Sequence, residues 1–529
     1  MADAVPAKPL ALSDEWVPAA NPWIIAAAVM LATFMEVLDT SVANVALPHI
    51  GGSLSASTDE STWVLTSYLV SNAIILPATG WLASVFGRKR LLITAIVVFT
   101  LSSALCGAAG SLGMLVIARV IQGIGGGCLQ PIAQAVLLES FPPQKRGQAM
   151  AVYGMGIIVA PIIGPTLGGW ITDNYSWRWI FYINIPVGIA AIMMAQTFVQ
   201  DPPYIRRLIK RRIDYIGFGL MAIWLATLQL VLDKGQEADW LAAVWIRWFI
   251  IISVGALIGF VVWELRSDDP IVNLRILKNG NFAVGIVLIA VVGAVLYGTT
   301  AMLPIFLQTL MGYPALQSGL AVSPRGFGSL VSMFVVGRLI GIIDSRLLMM
   351  FGFGVLALSV FLLSGINMDI AISNVVWPNI INGLAMGFIF VPLTTTSMGT
   401  LRNEQIGNAT GIYNLMRNIG GSIGISASTT LVARSAQVHQ AMMVSHMTPY
   451  DPSFVQGVHR MQGLMARQTG SPASMHQAFG AMYGMLVNQA TLLAFLDAFR
   501  ELAVTCVICM FLVLLFRKVK SKGGAVAAH

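Results

Sequence analysis

Charge is scarce in this chain. Of its 529 residues only 10% are Asp, Glu, Lys or Arg, whereas 57% are hydrophobic, and the mean hydropathy is +0.78. A soluble domain carries about 25% charged residues. A chain of this length with so little polar surface cannot clothe itself for water, which excludes a large soluble fold. Histidine numbers six and cysteine four. Cys106, Cys128, Cys506 and Cys509 all lie inside apolar runs, so no disulfide framework is expected. The C-x-x-C of Cys506 and Cys509 lacks the soluble context of a redox motif. Enzyme hardware is missing too: there is no G-x-x-x-x-G-K-[ST], no H-E-x-x-H and no G-x-S-x-G. ATP is therefore not the direct energy source, and neither cofactor nor metal is expected. Residues 1–20 are polar and rich in Ala and Pro, with no hydrophobic core before Trp23, so no cleavable signal is expected.

What the chain has is apolar runs of about 20 residues, the length that spans a bilayer. Fourteen can be counted, near 22–47, 62–83, 91–111, 113–137, 148–171, 178–199, 214–232, 244–264, 282–307, 319–340, 347–366, 376–398, 409–433 and 490–516. They are expected to be helices, because a lone strand in lipid leaves its backbone unpaired. With the N-terminus placed inside, 21 of the 31 Lys and Arg residues fall on the cytoplasmic side and six outside, leaving Arg119, Arg325, Arg417 and Arg500 within spans. That bias puts both termini in the cytoplasm. It also accounts for the net charge of +8 without a nucleic-acid partner.

The chain repeats itself. Around Arg119 it reads "RVIQGIGGG", and 260 residues later, around Asn379, "NIINGLAMG". At the same offset "GQAMAVY" (147–153) matches "GNATGIY" (407–413), and Gly164 matches Gly424. Spans 1–6 and 9–14 are thus expected to be two copies of a six-helix unit, with spans 7 and 8 inserted between them. The boundaries expected are a tail at 1–20, a first bundle at 21–199, a basic loop with two inserted helices at 200–280, a second bundle at 281–516 and a tail at 517–529. Parallel repeats with a site between them near mid-membrane are a transporter architecture.

Four motifs carry a resemblance. "LDTSVANVALP" (38–48), "RVIQGIGGG" (119–127), "APIIGPTLGG" (160–169) and, imperfectly, "GWLASVFGRKR" (80–90) together resemble the major facilitator superfamily, in its fourteen-span drug:proton antiporter branch of EmrB/QacA type. The resemblance covers nearly the whole chain. It implies an all-α polytopic membrane protein with a 6+2+6 helix plan. It further implies a proton-driven exporter of amphiphilic, toxic compounds in the cell inner membrane, working with a periplasmic adaptor of the membrane-fusion type and an outer-membrane channel. The loop motif keeps Gly80, Gly87, Arg88 and Lys89 but has Ser84 and Val85 where Asp and Arg are usual in the family.

The site residues follow from the cost of polarity in lipid. Glu36 and Asp39 lie three apart, on a similar helix face. An acid at mid-membrane costs about 2.5–3.5 kcal/mol on insertion scales, so that face is expected to look into the bundle. Arg119 is the natural partner cation. Asp39 is expected to carry the transported proton, with Glu36 and Arg119 tuning it; the alternative is a static pair locking two helices. Tyr68, Asn72, Gln122, Gln130, Tyr297, Arg325, Asn382, Asn414 and Arg417 are candidates for a substrate cavity, or for hydrogen bonds between helices. Gly164, Pro165, Gly168 and Gly169 are candidates for a gating seam, or for plain helix packing. Asp497, Arg500 and Glu501 read as an interfacial charge cluster.

Residues 434–489 are expected outside, as a mainly polar segment far longer than its counterpart "DNYSWR" (173–178). It holds four histidines, at spacings that fit no metal motif, and eight methionines. Its stretch 454–467 reads as an amphipathic helix. It is expected to dock an adaptor, with Arg460 and Arg467 at a polar rim, or to act as a lid. A non-transporting sensor or assembly protein, and proton-coupled uptake, are the competing functions.

Overall fold

The computed structural model describes residues 18–202, 214–469 and 471–517; the basic run 206–212 and most of both tails lie outside the described residues. Apolar runs of spanning length have no backbone partner in lipid but their own, and each forms a helix. Among the described residues these runs form α1 (Pro22–Ser53), α2 (Trp63–Phe86), α3 (Arg88–Ala108), α4 (Leu112–Ser140), α5 (Arg146–Asn174), α6 (Asn184–Phe198) and α7 (Tyr215–Lys234). They continue as α8 (Val244–Arg266), α9 (Gly280–Thr309), α10 (Pro324–Leu339), α11 (Ser345–Leu363), α12 (Ser373–Met398), α13 (Asn403–Val444) and α14 (Ser471–Leu512). Among the described residues no strand occurs.

Among the described residues thirteen helices are long and apolar enough to cross a membrane. Of α1–α14, the one not among them is α13. It buries Asn414, Arg417, Gly420 and Gly424 among its neighbours, so it does not need an apolar surface all round.

Packing repeats the sequence repeat. In the first half α1 lies along α5, and α2 and α3 lie along α4; in the second α9 lies along α13, and α10 and α11 along α12. Each half sends its fifth helix across: α13 packs on α2 and α4, and α5 on α10 and α12. The inserted α7 and α8 pair with each other, and α7 leans on α2 and α13.

An even number of crossings brings both described ends to one face, called here the terminal face. There the halves meet closely. A Cβ on Gly80 would stand 2.7 Å from the backbone of Asn408. The Asn408 amide also clamps the backbone of Asn273, accepting from its N–H and donating to its carbonyl, each at 3.2 Å. Toward the opposite face the inner stripe of α1 opens: Glu36 is buried, Thr40 half-buried and Asn44 exposed.

The segment 434–489 is helical rather than a polar loop. α13 runs on to Val444, the helix Pro452–Thr469 follows, and α14 begins at Ser471. α13 and α14 have 42 residues each, about 63 Å at 1.5 Å per residue, against a hydrocarbon core of about 30 Å. Both therefore project beyond the bilayer. Gln440 Nε2 donates to Tyr483 Oη at 3.0 Å, and His439 Nε2 meets Asp497 Oδ2 at 2.7 Å. The Pro452–Thr469 helix packs along α14, with Phe454 and Phe479 6.4 Å apart. Polar contacts between the helices thus replace lipid as the reason to stay helical.

Candidate functional site

The two acids of α1 have different surroundings. Asp39 is 2% exposed and accepts three bonds: from Arg119 Nη1 at 2.6 Å, Gln122 Nε2 at 3.0 Å and Asn184 Nδ2 at 2.7 Å. Arg119, fully buried on α4, also donates Nε to the Val64 carbonyl at 3.0 Å. Its guanidinium lies 4.3 Å from the Tyr68 ring centre. Asp39 is thus charge-balanced and saturated, with its partner held by α2. Asn184 of α6 is a site residue that sequence reasoning missed; a lone Asn near the start of an apolar run gives no signal of its own.

Glu36 is 3% exposed and meets only neutral donors: Tyr68 Oη at 3.0 Å, Asn72 Nδ2 at 3.2 Å and Gln130 Nε2 at 2.7 Å. No described cation lies within ion-pair distance of it. The nearest link to positive charge runs through Gln130, whose Oε1 accepts from Arg417 Nη2 of α13. One turn along, Gln134 Oε1 accepts from Asn414 Nδ2 at 2.7 Å. Buried charge is costly unless paired. Of the two acids, Glu36 is therefore the one whose charge is left without a compensating ion pair among the described residues. Tyr68 touches both groups, with its ring on Arg119 and its hydroxyl on Glu36.

The structure thus brings Glu36, Tyr68, Asn72, Gln130 and Arg417 into one cluster, and Asp39, Arg119 and Gln122 into its neighbour. Other candidates stand apart. Arg325 donates to Thr300 at 2.5 Å and Thr299 at 3.2 Å, with no acid beside it among the described residues. Tyr297 packs its ring near Gly421. Asn382 is fully buried and its amide has no hydrogen-bond partner.

Between α1 and α5 the small residues have a mechanical reason. Pro165 has no N–H to offer the Pro161 carbonyl one turn back. Ser41 Oγ of α1 donates to that carbonyl instead, at 3.2 Å. Gly164 makes room, since a Cβ there would lie 2.3 Å from Ser41 Oγ. A Cβ on Gly168 would meet Val42 at 3.0 Å, whereas one on Gly169 would meet nothing within 4 Å.

At the terminal face Gly87 turns the chain from α2 into α3 with φ +84°, a conformation that favours glycine. Arg88 pairs with Glu139 at the end of α4. Lys89 N donates to Asp201 Oδ1 at 2.8 Å, so Asp201 caps the start of α3. Acids from α4 and from beyond α6 thus serve the loop motif that lacks its usual Asp.

The family model of the Major Facilitator Superfamily matches residues 29–425. Multidrug export protein EmrB of Escherichia coli (strain K12) is 37% identical over 474 residues, covering 89% of this chain and 90% of that protein. Fatty acid resistance protein FarB of Neisseria gonorrhoeae is 39% identical over 420 residues, covering 79% of this chain and 82% of that protein. Among solved structures, the human organic anion transporter MFSD10 aligns with a TM-score of 0.61 at 12% identity, over 93% of this chain and 99% of that one. This likeness shows the fold alone.

Proposed function

The chain belongs to the Major Facilitator Superfamily, and from that premise we propose that it exports amphiphilic and hydrophobic toxic compounds in exchange for protons, by alternating access. The observation that carries the proton half of this reading is Glu36. It is a buried carboxylate with neutral donors only, at the junction of the two halves. Such a group loads a proton when outer water reaches it and gives it up when the path changes sides. Asp39, balanced by Arg119, instead fixes α1 to α4 and α6. The proposal thus exchanges the expected roles, in which Asp39 carries the proton and Glu36 and Arg119 tune it.

The terminal face is read as cytoplasmic on the Lys and Arg bias, and the membrane as the cell inner membrane on the resemblance to the EmrB-type exporters. The closed terminal face and the opening stripe Glu36–Thr40–Asn44 then correspond to an outward-facing state. A non-transporting scaffold is disfavoured because nothing in it would sustain an uncompensated buried acid. Everted vesicles test the exchange. Adding an exported compound should dissipate an imposed pH gradient in vesicles that hold the protein and leave it intact in vesicles that lack it. No dissipation with any compound to which the protein confers resistance would reject antiport.

The projecting end of α13 and α14 is read as the dock for a periplasmic adaptor, itself joined to an outer-membrane channel. Support comes from the reach of the two helices beyond the bilayer and from apolar side chains exposed there: Met442, Tyr450, Leu464 and Met485. Arg460 is exposed on the same extension; the side chain of Arg467 lies outside the described residues.

A further inference from the structure

The proposed proton site sits in the first half, yet alternating access must move the second half against it. Between them stands the side-chain amide of Gln130. Gln130 of α4 donates Nε2 to Glu36 at 2.7 Å and accepts from Arg417 of α13 on Oε1. The three groups form a head-to-tail chain, cation to amide to carboxylate, in which each bond polarises the next. From the remaining packed elements, the titratable and charged groups around Glu36 are Tyr68 on α2, Tyr153 on α5, and Asp39 with its partner Arg119. Arg417 is the cation that reaches it from the other half.

The rest of this seam is held less completely. One turn toward the terminal face, Gln134 and Asn414 share one hydrogen bond, while Gln134 Nε2 and Asn414 Oδ1 are buried without a partner. Arg417 Nε is buried without a partner as well. A buried polar atom left unpaired is unfavourable, so the closed seam is poised rather than saturated. Below these rungs the halves close at Gly80 and Asn408.

We infer that Gln130 is the positioning residue that couples proton uptake to the α4–α13 seam, holding Arg417 while Glu36 is charged and releasing it when Glu36 is neutral. The inference rests on the antiport reading of Glu36. A proton from outer water binds the Glu36 carboxylate. The Gln130 bond then loses its charge assistance, roughly half its strength. Arg417 loses the negative end of its chain, and the seam parts toward the terminal face. When the proton leaves by that face, the chain re-forms and the seam closes. The order suits an exporter, because the protonated protein is the one that opens to receive substrate from inside.

Distance measurements between spin labels test this on the full chain in lipid nanodiscs. Gln144→Cys and Glu404→Cys place labels on exposed terminal-face positions of the two halves, and the four native cysteines are buried. Glu36→Gln, a stand-in for the protonated acid, should shift the major population from the short to the long distance. Gln130→Met should do the same alone, and combining it with Glu36→Gln should add nothing. Arg417→Leu should match Gln130→Met, whereas Arg417→Lys should keep more of the short distance. Arg417→Leu approaches the chain from its other end, should Gln130→Met fail to fold. If Gln130→Met and Arg417→Leu stay short while Glu36→Gln still opens the seam, Gln130 is not the coupler. If Glu36→Gln stays short and substrate still releases a proton from that variant, the assignment of the proton to Glu36 fails, and this inference with it.

Discussion

Arg119 is fully buried and bonds Asp39 at 2.6 Å, so removing either member strands the other's charge in the bundle. Breaking a buried pair from one side costs about 3–5 kcal/mol. Arg119→Leu is therefore expected to lower the unfolding midpoint in detergent well below that of the parent. Glu36→Gln should lower it little, since its amide oxygen still accepts from Tyr68 and Asn72. Equal losses for the two variants would contradict the difference drawn between the acids. That both acids matter was legible in the sequence, because carboxylates are rare in apolar runs. Which of them is balanced was not legible. The answer depends on Gln122 and Asn184, brought from α4 and α6, and on the absence of a cation beside Glu36 among the described residues. Spacing along one helix carries none of this.

At the scale of helices, the α1–α5 seam combines a proline-freed carbonyl, a serine that fills it and a glycine that admits the serine. Gly164→Val should force α1 off α5, at a cost of about 1–3 kcal/mol for overpacking, and cut transport. Gly169→Val, with open space around it, should leave both stability and transport unchanged. Measured side by side, matching losses in the two variants would mean that close approach is not what the motif supplies. Helix positions were legible from apolar runs, but the outer ends of α13 and α14 were not. Once a helix leaves the bilayer its sequence turns polar, and continuation then depends on partners such as Tyr483 and Asp497 that no local pattern announces. Replacing residues 445–470 by a short Gly-Ser linker should abolish recovery of the adaptor on pull-down and spare transport in proteoliposomes. Full adaptor recovery would assign that segment another role.

For the whole molecule, the repeat at an offset of 260 residues was visible in sequence and reappears as the same helix pairings in each half. How the halves meet was not visible, because cross-half contacts such as Gln130–Arg417 and Gln134–Asn414 join residues about 280 positions apart. Orientation is testable directly: reporters fused after residues 210 and 460 should report opposite sides of the membrane, and the same side for both would undo the cytoplasmic reading of the terminal face. The central claim is that a compound leaving the cell is exchanged for a proton held on Glu36. Purified protein in weakly buffered detergent, titrated with an exported compound, tests it most directly through the pH of the solution. The account predicts proton release from the parent and from Asp39→Asn if that variant folds, and none from Glu36→Gln although it still binds the compound. Release from Glu36→Gln equal to that of the parent would contradict it.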